Sequence, residues 1–177
     1  MILTASSVRF GEVAKLTVWA LQDLANRYNV SFRVKTWDEK ETGYWQKLDM
    51  IQGALRVSPW VLWLDCDVLA DERFQIPDKC LYAFPRTTEA GGCVHWWAYA
   101  CFYWRCPQSH SLIDLIRRQR PRIQDSLGDQ RALNDVLESN PHFSDGLQAL
   151  DTTGLFHPHG KTVSQKVEAL KTARIAA

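Results

Sequence analysis

The stretch Trp60-Val-Leu-Trp-Leu-Asp-Cys-Asp-Val-Leu-Ala70 constrains this chain more than any other. An apolar run stops abruptly at two carboxylates, Asp65 and Asp67. Apolar residues closed by charge read as a strand buried on both faces. A buried carboxylate without a partner costs roughly several kcal/mol, so a pair at the end of a core strand asks for a cation. In extended chain the i, i+2 spacing puts both side chains on one side. That pattern suits a divalent metal holding a phosphorylated ligand at the carboxyl end of a central strand. The alternative is a polar turn whose aspartates cap nearby amides.

A length of 177 residues fits one domain, 1–177, with a sizeable core. The formal net charge of +1 gives no global field that would select nucleic acid or membrane. Eight Trp are many for this length, and both sugars and bases stack on indole. No secretory segment precedes the first strand signal, and no apolar run reaches membrane-span length. With five Cys, the expectation is a reducing, cytoplasmic setting with free thiols. Cys80, Cys93, His95, Cys101 and Cys106 lie at spacings that match common zinc sites poorly.

The periodicities predict a strand at Ile2–Ser6, a helix over about 11–28, a strand at Val30–Val34 and a helical stripe from Tyr44 to Leu55. Trp60–Leu64 is then the third strand. Strand–helix–strand–helix–strand implies right-handed crossovers and a parallel sheet. Ligands of such sheets sit at the carboxyl ends of the strands. Three of those ends, Thr4–Ser7, Lys35–Trp37 and Asp65–Asp67, should therefore converge. Further on, Cys80–Phe84 and Trp96–Arg105 read as strands, and Pro85–His95, with Gly91-Gly92, as a mobile loop. Leu112, Leu115 and Ile116 mark a short helix capped by Ser109 or Ser111. Gly128–Leu137 starts another helix, Leu147–Leu150 and Leu155-Phe156 read as short strands, and Val163, Val167 and Leu170 mark a final helix. The one basic run, Arg117–Arg122, is either a solvated helix end or a nucleic-acid contact.

Several motifs fall in a telling order. The Lys47-containing helix and a Pro-Trp entry lead into the Asp-x-Asp strand. The aromatic strand Ala98–Arg105, the Asp129-Gln130-x-x-x-Asn134 helix start, and a late His157, Gly160, Lys161 element follow. This order resembles nucleotide-sugar glycosyltransferases of the GT-A fold, especially the glycogenin-like and galactosyltransferase-like retaining enzymes. The resemblance implies a Rossmann-like α/β fold, with a mainly parallel central sheet flanked by helices and a small antiparallel addition. It implies a metal-dependent transfer of sugar from a nucleoside diphosphate, UDP-sugar first among donors, with Mn2+ or Mg2+ as cofactor.

The resemblance also implies roles. Asp65, Asp67 and His157, or His159 in its place, would hold the metal, with Asp65 shared with donor hydroxyls. Thr4, Ala5 and Ser6 would line the nucleoside pocket, Lys35 and Trp37 would meet the base, and Lys47 would belong to the donor site. Gly160 and Lys161 would contact the diphosphate. Asp129 and Gln130 would sit beside the transferred sugar; an N-cap pair is their ordinary reading. Trp96 and Trp97 are candidates for an acceptor platform, against plain core packing. An inverting mechanism would need a carboxylate base, first Asp129, then Glu89 and Asp125. The acceptor is open: a glycan, a small molecule or a modified DNA base. Two other classes stay in view. One is a nucleotidyltransferase, for which Ser6–Gly11 is a poor phosphate loop with one basic residue, Arg9. The other is a non-catalytic nucleic-acid or interaction module.

Overall fold

The computed structural model describes residues 1–37, 43–123, 128–158 and 162–176. In chain order the elements are β1 (Ile2–Ser6), α1 (Gly11–Arg27), β2 (Phe32–Thr36), α2 (Gly43–Leu55), β3 (Trp60–Leu64), β4 (Leu69–Ala70), β5 (Tyr82–Phe84), β6 (Arg86–Thr88) and β7 (Val94–Trp96). Then come β8 (Ala100–Trp104), α3 (Pro107–Arg118), α4 (Gly128–Ser139), β9 (Leu147–Ala149), β10 (Leu155–Phe156) and α5 (Val163–Ala176).

The central sheet has the order β2-β1-β3-β8-β5-β9. Five of its six strands run in one direction and β8 alone is reversed. The carboxyl ends of five strands and the amino end of β8 therefore share one edge. Side chains alternate across the sheet as period two demands. Leu62 and Leu64 pack with Ile2, Leu21 and Leu24 under α1. Val61 and Trp63 pack with Leu48, Ile51, Leu112 and Leu133 under α2, α3 and α4. Burying β3 on both faces is what its unbroken apolar run predicts. Two small antiparallel pairs, β10-β4 and β6-β7, complete the architecture.

Some local expectations are corrected. The second strand starts at Phe32 rather than Val30. Asn29 sits at φ 50°, and the Val30 and Asn29 amides bond Ala25 O and Asn26 O at 2.9 and 3.0 Å. This Schellman closure takes up the residues between helix and strand. The predicted loop Pro85–His95 is a hairpin, β6-β7, turned at Gly91 and Gly92 with φ of 106° and 85°. β-Branched and aromatic flanks around Gly-Gly carry that signal. Trp96 belongs to this hairpin and Ala100 starts β8, so the predicted strand Trp96–Arg105 is broken at 97–99. Finally, α3 is capped by Cys106, whose Sγ accepts from Ser109 N at 3.4 Å, with Pro107 in the first turn.

Candidate metal and donor site

The site lies on the shared sheet edge, and a turn makes it. Beyond Leu64 the strand ends, and Val68 N donates to Asp65 O at 2.9 Å. Thr17 of α1 reaches over and donates its hydroxyl to Cys66 O at 2.6 Å, in full burial. The two carboxylates thus share a side because a pinned turn aims them, rather than through extended-strand alternation. His157 follows β10, which pairs with β4 just past the turn. That short pairing brings the late His to the Asp-x-Asp element. Ligand atoms of Asp65, Asp67 and His157 all lie within 4.8 Å of one another, and this is the group of that kind found among the described residues.

The donor set is two carboxylates and one imidazole, which suits manganese or magnesium better than a thiolate-loving ion. Ligands around one such ion stand about 3–4 Å apart, a spacing close to that of this group. All five cysteines are free thiols, and none joins it. His157 Nε2 stands 3.4 Å from Asp67 Oδ1 and its ring stacks on Tyr99, centroids 4.3 Å apart. Lys166, from the first turns of α5, makes an ion pair with Asp67 Oδ2. Burial opposes charge on Asp67, but His157 and Lys166 prevail and hold its carboxyl at about 2. Burial instead pushes Asp65 above its usual value, against the pull of Lys47.

Lys47 is the hub of a second cluster. Its side chain is 4% exposed, and its ammonium ion-pairs Asp129 Oδ2, donates to Ala98 O at 2.8 Å and lies 3.8 Å from Asp65 Oδ1. Trp63 Nε1 donates to the same Asp65 oxygen at 2.6 Å. Burial would discharge Lys47, yet Asp129 and Asp65 hold its pKa above the ordinary value. The break at 97–99 serves this cluster: it frees Ala98 O for Lys47, while Tyr99 O accepts from Asp65 N at 2.8 Å. Gln130 reaches His95 Nε2 at 3.1 Å. Asn134 clamps the hairpin, accepting from Trp96 N at 2.9 Å and donating to Trp96 O at 2.8 Å.

The other anticipated residues divide by accessibility. Thr4, Ala5 and Ser6 are all buried in β1, so this segment can offer a nucleoside mainly its backbone. Trp37 is half-buried beside them, its amide bonded to Ser6 O at 3.3 Å, and Lys35 is exposed on edge strand β2. Trp96 packs against the core, with the Arg86 guanidinium 5.7 Å from its ring centroid. Trp97 instead lines a cavity of about 380 Å³ with Arg86, Thr87, Tyr99, Phe156 and His157. Glu89 is exposed at the hairpin turn. His159, Gly160, Lys161 and Asp125 lie outside the described residues. Lys166 was missed by sequence reasoning; the signal was a helix-period lysine one turn into α5, on the side of Thr162.

Comparison with solved structures places this arrangement. A glycosyltransferase involved in the glycosylation of the major capsid of PBCV-1 superposes with a TM-score of 0.72, over 97% of this chain and 98% of that one, at 14% identity. The chain has the GT-A glycosyltransferase fold. The galactosyltransferase LgtC, in complex with donor and acceptor sugar analogs, matches with a TM-score of 0.57 at 11% identity, covering 97% of this chain and 95% of that chain. The catalytic domain of Drosophila β1,4-galactosyltransferase 7, in complex with xylobiose, also gives 0.57, at 12% identity, over 96% of this chain and 78% of that chain. No protein-family model matches the sequence, and no curated protein matches it. Among the described residues no helix is long and apolar enough to cross a membrane.

Proposed function

We propose that this protein is a metal-dependent glycosyltransferase that moves a sugar from a nucleoside diphosphate, UDP-sugar first, to an acceptor, with retention of configuration. The observation that carries this is the convergence of Asp65, Asp67 and His157 at the ligand edge of a GT-A sheet. These three residues would hold Mn2+ or Mg2+, which when bound supplies positive charge to the departing diphosphate.

The chain's own residues set the rest. Trp37 and the backbone of β1 flank the space for the nucleoside. Lys47 orders Asp65 and Asp129, and so fixes the position of Gln130, which reaches toward the hairpin. Asp129 is a poor general base, because its carboxylate is 9% exposed and engaged by Lys47. That favours retention, in which the leaving diphosphate takes the acceptor's proton and no protein base is required. Acceptor entry is best served by the cavity between Trp97 and His157, where an indole, a phenol ring and Arg86 offer stacking and hydrogen bonding to a glycan or another hydroxylated molecule. In the basic run one arginine is engaged within the chain, while Arg118, Arg120 and Arg122 are exposed. Arg117 is engaged by Asp49 at 2.7 Å and Asp114 at 2.8 Å.

A panel of nucleotide-sugars, screened with Mn2+ for release of nucleoside diphosphate, tests the reading. One donor should be turned over, and chelation should stop it. Release at the wild-type rate by Asp67→Ala would overturn the metal assignment.

A further inference from the structure

Asp67 has two close side-chain partners, His157 and Lys166, and the lysine has no part in a simple metal triad. Lys166 holds Oδ2 while His157 faces Oδ1 at 3.4 Å. The lysine is held where it is by the fold. Thr162 and Gln165 form a capping pair: Thr162 N donates to Gln165 Oε1 at 2.9 Å, and Gln165 N to Thr162 Oγ1 at 3.4 Å. Leu170, with Val163 and Val167, docks α5 on Val13 and Ala20 of α1. The Lys166 side chain is 14% exposed, against 7% for Asp67.

The charges point to what it does. Asp65, Asp67 and Asp129 are three carboxylates, and Lys47 and Lys166 supply two ammonium groups. The cluster is thus nearly neutral before any divalent ion arrives. A divalent ion bound through Asp67 competes with Lys166 for the charge of that carboxylate and places the ammonium beside a like charge. An incoming diphosphate removes that conflict, since its oxygens would ligate the ion and accept hydrogen bonds from the ammonium.

We propose that Lys166 is a resident cation that occupies the metal-binding carboxylate until the donor's diphosphate arrives, and so makes metal and nucleotide binding strongly cooperative. The inference rests on the proposed metal and donor site. Lys166 hands Asp67 to the ion and takes the phosphate oxygens in the same event, so metal alone binds weakly. By reciprocity the ion must raise nucleotide affinity by the factor that the nucleotide raises metal affinity.

The test measures Mn2+ binding by electron paramagnetic resonance, with and without UDP, in the wild type, Lys166→Met, Lys166→Arg and Lys171→Met, each checked for cooperative unfolding. Lys166→Met should bind Mn2+ alone about tenfold more tightly than wild type, and the gain conferred by UDP should shrink by about tenfold or more. Lys166→Arg keeps the charge and should keep the coupling. Lys171, exposed on the same helix, should change neither quantity. Equal Mn2+ affinity in wild type and Lys166→Met, or equal UDP coupling, refutes the role of Lys166. A wild type that binds no Mn2+ even with UDP refutes the metal site itself.

Discussion

Two lysine–aspartate pairs stand at the same sheet edge and do opposite things. Lys47 and Asp129 are sealed, at 4% and 9% exposure, between helices α2 and α4. Lys166 and Asp67 join a terminal helix to a turn at the rim of the site. The first pair is buried with further partners, Ala98 O, Asp65 and the Trp63 ring, so separating it strands a charge in the core. The second pair has a partly exposed lysine side chain, and its aspartate is the proposed metal ligand. On the role proposed for Lys166, similar chemistry makes a structural strut in one place and an exchangeable contact in the other. Depth and connectivity decide which.

The sharpest way to break this contrast is Lys47→Met. It should cost about 3–5 kcal/mol in urea unfolding at neutral pH, because Asp129 stays buried without its ammonium. Burial then governs Asp129 and raises its carboxyl. A folded-state pKa above the unfolded one means the folded state binds more protons, so the mutant should regain stability as pH falls from 7 toward 5. Wild-type stability in Lys47→Met would erase the distinction between the pairs. Asp67→Asn should shift the balance toward function: metal-dependent turnover falls about a thousandfold, while unfolding free energy at neutral pH falls by about 2 kcal/mol, the stability tied to a carboxyl held at about 2. A stability loss as large as that of Lys47→Met would put both pairs in one class.

Smaller effects probe how the site is aimed. Thr17→Val strands Cys66 O in the core and should cost about 1–2 kcal/mol, with weaker Mn2+ binding as the turn relaxes. Unchanged metal affinity would mean the turn holds itself. Asn134→Ala should cost about 1 kcal/mol and speed hydrogen exchange at the Trp96 amide more than in the central sheet. Least visible of all is thiol chemistry. Cys93 is exposed, whereas Cys66 is buried and its thiol is pushed up to about 12, so iodoacetamide near neutral pH should label the first and spare the second. Rapid labelling of Cys66 would show that the Asp65–Asp67 turn opens readily.

Much of this was legible in the chain. The apolar run into Asp65 and Asp67 required a doubly covered strand ending in charge, because no other placement buries those side chains without stranding the carboxylates. The helix–strand alternation before it fixed three parallel strands with their ends together. The hairpin at Gly91-Gly92 and the Schellman turn at Asn29 had local signals too, in turn chemistry rather than hydrophobic period. Other features had none. That Lys47 faces Asp129, 82 positions on, follows from α2 and α4 meeting under one face of the sheet. That Lys166 reaches Asp67 follows from α5 packing on α1. Local sequence determined where each charge sits in its own element. Only the tertiary structure decided which opposite charge it meets, because long-range ion pairs are set by how elements dock, and docking is driven by apolar faces that carry no record of the charges at their edges.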